Sequence, residues 1–282
     1  KIKPDYAEAY YNLGTVQMEK SDTEAAIKSF KKALKIKPNT PEVYINLGAV
    51  HYIKGELDAA IESFQQALKI KPYYAVSYYN LGNVQSEKGD PEAAIESYKQ
   101  ALKINPDSLK VYFNLGNILK NLSFTKPSSD MQNIILSLLE KKTLVRPKDI
   151  SQAAISLLKF EPVMEKLCQM KIQGCQDRTL QQTISSLSEL PLLLKLMCIC
   201  SLNDLDLEAI LIDVRSGLLL SILEIEVTPK ILCFQSALAL QCFTNEYIYS
   251  QSKSEEKAIN VLEKKIKELL SNNEQPSPLA IL

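Results

Sequence analysis

The 282 residues are 46% hydrophobic and carry 33 basic and 33 acidic side chains, enough apolar content for packed cores and no net field to draw the chain onto nucleic acid or an anionic membrane. No apolar run reaches the roughly 18 residues of a membrane span, because "PLLLKLMCIC" is short and contains Lys195. A soluble, cytoplasmic chain is expected, with no membrane partner; it starts at Lys1 in mid-pattern without signal-peptide features, so it reads as a piece of something longer.

From the N-terminus, Pro4, Pro38, Pro72 and Pro106 stand 34 residues apart, each closing an Ile-Lys-Pro or Ile-Asn-Pro tripeptide. Within each interval the small residues recur in register: Gly14, Gly48, Gly82 and Gly116, then Ala26/Ala33, Ala60/Ala67 and Ala94/Ala101. Small side chains at such points let two antiparallel helices approach closely, while Tyr10, Leu13, Phe30, Leu34 and their counterparts fill the space around them. Each proline ends its second helix, since it lacks the N–H that would continue it.

This pattern resembles the tetratricopeptide repeat: in the second repeat the family's positions fall on Tyr44, Leu47-Gly48, His51, Ala60, Phe64, Ala67 and Pro72. The resemblance covers 1–122 and implies an all-α fold, a right-handed superhelix of three full repeats plus the first helix of a fourth. His51 takes a position that the family fills with a packing residue.

Along each first helix a second stripe, separate from the buried one, recurs at spacings of 4, 3 and 4. It contains Asn12, then Asn46, then Asn80 and Asn83, then Asn114 and Asn117. Asparagine is a poor helix former, so its use before Leu-Gly in all four repeats asks for a reason. Its amide complements a peptide bond. The arrangement resembles the asparagine ladder of O-linked N-acetylglucosamine transferases, which implies a concave groove that takes an extended peptide. The competing reading is that each asparagine bonds to a neighbouring repeat, and the two readings can hold together. Tyr11, Ile45, Tyr79 and Phe113 stand just before these asparagines, so the peptide-binding candidates are Asn12, Asn46, Asn80, Asn83, Asn114 and Asn117 with Tyr11, Tyr79 and Phe113. The groove lacks the basic clamp of chaperone-tail receptors, which points to a neutral or mixed-charge ligand. Glu24, Asp58 and Glu92 read as a solvated face.

Residues 123–130 read as a linker and 131–282 as a second, non-repeating helical domain. Helix starts are expected at Ser129-Asp130, Pro147, Ser188 and Asn203, at Thr228-Pro229, and at Ser252 with Glu255 as a capping box. The six cysteines all lie in this half and read as small buried hydrophobes with free thiols. Cys198 and Cys200 would point to different helix faces, and with a single histidine in the chain no metal site is expected. The eight glycines never form Gly-x-Gly, and no nucleophile elbow occurs. No cofactor and no catalysis are expected of these residues. The segment around Gln241, Cys242, Phe243, Asn245, Glu246 and Tyr247 resembles the helical region preceding the methyltransferase domain of bacterial tetratricopeptide-containing methyltransferases, and that resemblance implies a catalytic domain after Leu282. Three functions stay open: a module binding a protein or peptide, the substrate-recruiting front of a larger transferase, and a structural oligomerisation element.

Overall fold

The computed structural model describes residues 6–120, 122–141, 144–173, 180–221, 225, 227–244 and 253–272. The described residues form fifteen helices and no strand, and the chain divides into two compact units, Lys1–Ile118 and Leu119–Leu282.

In the first unit α1 (Ala7–Glu19) pairs with α2 (Thr23–Ile36), α3 (Pro41–Ile53) with α4 (Leu57–Ile70), and α5 (Ala75–Glu87) with α6 (Pro91–Ile104); α7 (Leu109–Leu119) begins a fourth repeat. Successive pairs stack through α2 on α3 and α4 on α5, giving the tetratricopeptide superhelix. The glycine of each first helix sets the closeness of the pair. A Cβ at Gly14, Gly48 or Gly82 would lie 2.7, 2.8 or 2.6 Å from the Phe30, Phe64 or Tyr98 ring. Those rings are almost wholly buried, with Ala26, Ala60 and Ala94 fully buried beside them.

The turn inside each pair is also set by register. After α1, α3 and α5 the chain passes through Ser21, Gly55 and Gly89 at φ 61°, 75° and 83°. The next amides return to the helix end, Asp22 to Gln17, Glu56 to His51 and Asp90 to Gln85. This is a left-handed helix stop, which favours glycine; Ser21 meets it with a Cβ. Asp22 and Asp90 then cap the second helix by accepting from the Ala25 and Ala93 amides. Lys54 pairs with Glu24 at 2.6 Å and Lys88 with Asp58 at 2.5 Å, each 30 residues apart. Glu24 and Asp58, two of the solvated carboxylates of the sequence reading, are therefore also ties between repeats, and Glu92 is exposed. His51, half-buried, contacts Glu56 through Nδ1 at 2.5 Å.

The second unit contains α8 (Ser129–Glu140), α9 (Pro147–Leu158), α10 (Pro162–Gln173), α11 (Leu180–Leu187), α12 (Pro191–Ile199), α13 (Leu205–Leu220), α14 (Pro229–Thr244) and α15 (Lys253–Ser271). The apolar α12 lies against α8, α9 and α14, and buries Leu192, Leu193, Leu196 and Met197 almost completely. α13 packs on α10, α11 and α15, where the Arg215 guanidinium donates to the buried Glu255 at 3.0 Å. α9 starts at Pro147, and Thr228 caps α14 by accepting from the Ile231 amide, as expected. Ser188 starts no helix: its hydroxyl turns back to the Ser185 carbonyl at 2.7 Å, and α12 begins at Pro191. Asp204, one residue past Asn203, is the cap of α13. Ser252 lies outside the described residues. The uniformly buried cysteines expected from the sequence are corrected too, because Cys198 and Cys233 are exposed while Cys200 is buried. An apolar run does not by itself say which of its side chains faces inward.

Candidate functional site

The first helices of successive repeats lie side by side, α1 by α3 and α3 by α5, and their offset brings each position beside the following position one repeat on. The Asn46 amide donates to the Tyr11 hydroxyl at 3.3 Å, and the Asn114 amide to the Tyr79 hydroxyl at 3.4 Å; both pairs are 35 residues apart. Asn114 also donates to the Asn83 side-chain oxygen at 2.8 Å, a separation of 31 residues. That oxygen accepts in addition from the Tyr98 hydroxyl at 2.7 Å. Tyr11 and Tyr79 are held by tilted contacts with Phe30 and Tyr98, at ring-centroid distances of 6.1 and 6.3 Å.

The same offsets applied to Asn80 lead to Ile45 at 35 residues and Ala49 at 31. Neither carries a polar side-chain atom. Asn80 is half-buried, and its side chain has no hydrogen-bond partner among the described residues. Asn12, in the first repeat, is exposed and likewise unengaged among them. The ladder positions are thus not equivalent. Asn46, Asn83 and Asn114 are engaged between or within repeats, Asn80 and Asn12 are not, and Asn117 is exposed on the same face. Phe113 is 51% exposed, whereas Ile45 is buried.

Two hollows open along this face. One of about 450 Å³ has Tyr52, Asn83, Glu87, Tyr98, Asn114 and Asn117 among its lining residues. The other, about 300 Å³, has Glu8, Tyr11, Asn12, Lys37 and Glu42 among its lining residues. Glu87 falls on the stripe read from the sequence, whereas Tyr52 and Tyr98 were not singled out by sequence reasoning. The available signal was the change from Phe30 and Phe64 to Tyr98 at one repeat position, which adds a hydroxyl just where it reaches Asn83. Burial, the largest influence, pushes the Tyr98 phenol up to about 12. Tyr52 is pushed up to about 12 chiefly by its hydrogen bond to the Glu87 carboxylate. Both phenols are protonated at neutral pH and serve as donors.

Among the described residues no group of His, Cys, Asp and Glu side chains could hold a metal ion, and no helix is long and apolar enough to cross a membrane. Gln241 is buried; Asn245, Glu246 and Tyr247 lie outside the described residues.

Two family profiles match the chain, a tetratricopeptide repeat over 39–107 and a TPR repeat over 17–53. Together the two matches span residues 17–107 and agree with the tetratricopeptide repeats read from the sequence. The second unit lies outside both matches, and nothing in them supports the methyltransferase resemblance. Comparison with curated proteins gives no match. Among solved structures, the chain is similar to MamA, at 29% identity over 50% of this chain and 80% of that one, with a TM-score of 0.44. YrrB, described as a TPR protein with an unusual peptide-binding site, is 18% identical over 67% of this chain and 91% of its own, TM-score 0.44. An O-GlcNAc transferase from Thermobaculum terrenum is 24% identical over 50% of this chain but only 27% of its own length, TM-score 0.42.

Proposed function

We propose that the first unit holds an extended segment of a partner protein along the face of α1, α3, α5 and α7, with the Asn80 amide as its principal backbone anchor. The single observation that carries this reading is the contrast between Asn80 and Asn114. Repeat three supplies Asn114 with Tyr79 and Asn83, while repeat two offers Asn80 only Ile45 and Ala49. A half-buried amide with no partner among the described residues keeps two donors and an acceptor for a peptide bond, and making those bonds on binding adds about 0.5 to 1.5 kcal/mol each. Asn12 and Asn117 extend the row, and exposed Phe113 supports ligand side chains. Asn46, Asn83, Asn114, Tyr11 and Tyr79 act mainly as the frame that fixes the rungs.

The test is a randomised peptide array probed with the full chain and with its Asn80→Ala variant. The reading expects a set of peptides whose signal falls about 5-fold or more in the variant, with helicity unchanged. A set bound equally by both proteins would overturn it.

A further inference from the structure

We infer that the larger hollow is a subsite for a primary carboxamide, the side chain of a glutamine or asparagine in the bound segment; this rests on the groove reading above and names what one part of the groove recognises. Two departures from the repeat pattern meet there. Repeats one and two carry Phe30 and Phe64 in their second helices, with Thr15 and Ala49 on the ladder stripe, whereas repeat three carries Tyr98 and Asn83 at those positions. The added hydroxyl and the added amide are bonded to one another at 2.7 Å. The polar atoms that this repeat acquires therefore form one unit, on the hollow that both residues line.

The bonds within that unit leave a specific set of groups over. The Asn83 side-chain oxygen accepts from the Tyr98 hydroxyl and from the Asn114 amide, at 2.7 and 2.8 Å, which occupies both of its lone pairs and fixes the amide plane. The Asn83 NH2 has no partner among the described residues. Asn114 donates to Tyr79 and Asn83, and its side-chain oxygen is likewise unmatched among them. The exposed Glu87 carboxylate accepts from Tyr52 and retains further lone pairs. The hollow thus presents one fixed NH2 group and two acceptors, all from side chains lining about 450 Å³. A carboxamide is their complement: its oxygen accepts from Asn83, and its own NH2 donates to the Asn114 oxygen and to Glu87. A lysine or arginine suits the acceptors but sets its donors against the Asn83 NH2. A carboxylate accepts from Asn83 but meets the charge of Glu87, and an aliphatic side chain leaves these groups dehydrated and unpaired.

The experiment measures fluorescence anisotropy of five synthetic peptides of equal length, serine alternating with glutamine, asparagine, glutamate, lysine or leucine, so that an extended chain turns its guest residues to one side. Each is titrated into the full chain and into its Asn83→Asp and Asn80→Ala variants, with helicity checked throughout. Asn83→Asp keeps an acceptor for Tyr98 and Asn114 and replaces only the NH2, by a second acceptor. In the wild type one of the two carboxamide peptides is expected to bind about 5-fold or more tighter than the other three guests, the worth of one or two neutral hydrogen bonds. Asn83→Asp should abolish that preference and make the lysine peptide the tightest. In Asn80→Ala all five should weaken while the preference stays. Carboxamide peptides that bind wild type no tighter than the glutamate, lysine and leucine peptides would overturn the subsite, and common weakening in Asn80→Ala would then leave the groove reading standing. A carboxamide preference that survives Asn83→Asp with helicity intact would also overturn it. A preference abolished by Asn83→Asp, with every affinity unchanged in Asn80→Ala, would keep the subsite and overturn the backbone anchor.

Discussion

The Asn114 amide lies 2.8 Å from the Asn83 side-chain oxygen, tying the first helix of the fourth repeat to that of the third. The same oxygen accepts from the Tyr98 hydroxyl, so removing Asn114 strands part of a shared network. Asn114→Ala should cost about 1 to 3 kcal/mol of stability, from two neutral hydrogen bonds, to Tyr79 and to Asn83. Asn80→Ala removes no bond to a described residue and should be neutral or slightly stabilising, since alanine is the better helix former. Urea unfolding of the two variants separates them.

Close approach of each helix pair gives a second expectation. A methyl group at position 48 would meet the Phe64 ring at 2.8 Å. Gly48→Ala should destabilise by about 1 to 3 kcal/mol through overpacking, despite alanine's helix propensity. Phe64→Leu creates room, so the double variant should lose less than the sum of the single losses. Additive losses would place the strain elsewhere.

Ser21 holds φ 61° where the equivalent positions carry Gly55 and Gly89. A side chain in the left-handed region costs about 1 kcal/mol. Ser21→Gly should therefore raise stability by about that amount. Gly55→Ala should lower it similarly, although nothing lies within 4 Å of the added Cβ. Thermal melts of both variants check the pair.

Burial pushes the Tyr98 phenol up to about 12, against 10.0 for an ordinary phenol. Because the folded value is raised, its contribution is complete below about pH 10 and is lost as the pH climbs towards 12. With allowance for partial solvent access, the rise corresponds to about 1 to 2 kcal/mol. Wild type should lose that much more stability over this interval than Tyr98→Phe, which has no phenol to ionise there. Chemical denaturation at matched alkaline pH values gives the comparison.

The exposed Cys198 and Cys233 should be modified by a thiol reagent in the native state before the buried Cys200, whose thiol burial pushes up to about 11. Peptide mapping after a short exposure reads the order. Early modification of Cys200 would show that α12 opens.

Much of the first unit is legible in the sequence, because a 34-residue period fixes which residues share a core and where each helix stops. Gly48 against Phe64 needs only that register. The inequality of the ladder is harder to see. Ile45 and Ala49 are plain in the sequence, but that they stand beside Asn80 depends on the lateral offset of stacked helices, which packing sets. In the second unit Pro147 and Thr228-Pro229 announce their helices, since backbone chemistry there is local. Ser188 misleads, because its hydroxyl has a carbonyl acceptor behind it as well as amides ahead. With no period, nothing local tells Cys198 from Cys200 in depth, and because α12 ends at Ile199 the helix-face argument applies to Cys198 alone.

The most direct test of the account is a calorimetric titration of one array-selected peptide into the wild type, Asn80→Ala and Ala49→Asn. The last variant gives Asn80 the partner that Asn83 gives Asn114, so the amide is occupied from within rather than deleted. The account predicts affinity lowered about 5-fold or more in both variants, with Asn80→Ala folded as stably as wild type and Ala49→Asn no less stable beyond its helix-propensity cost. Affinity unchanged in both, with helicity intact, would contradict it and assign Asn80 to the packing of the repeat alone.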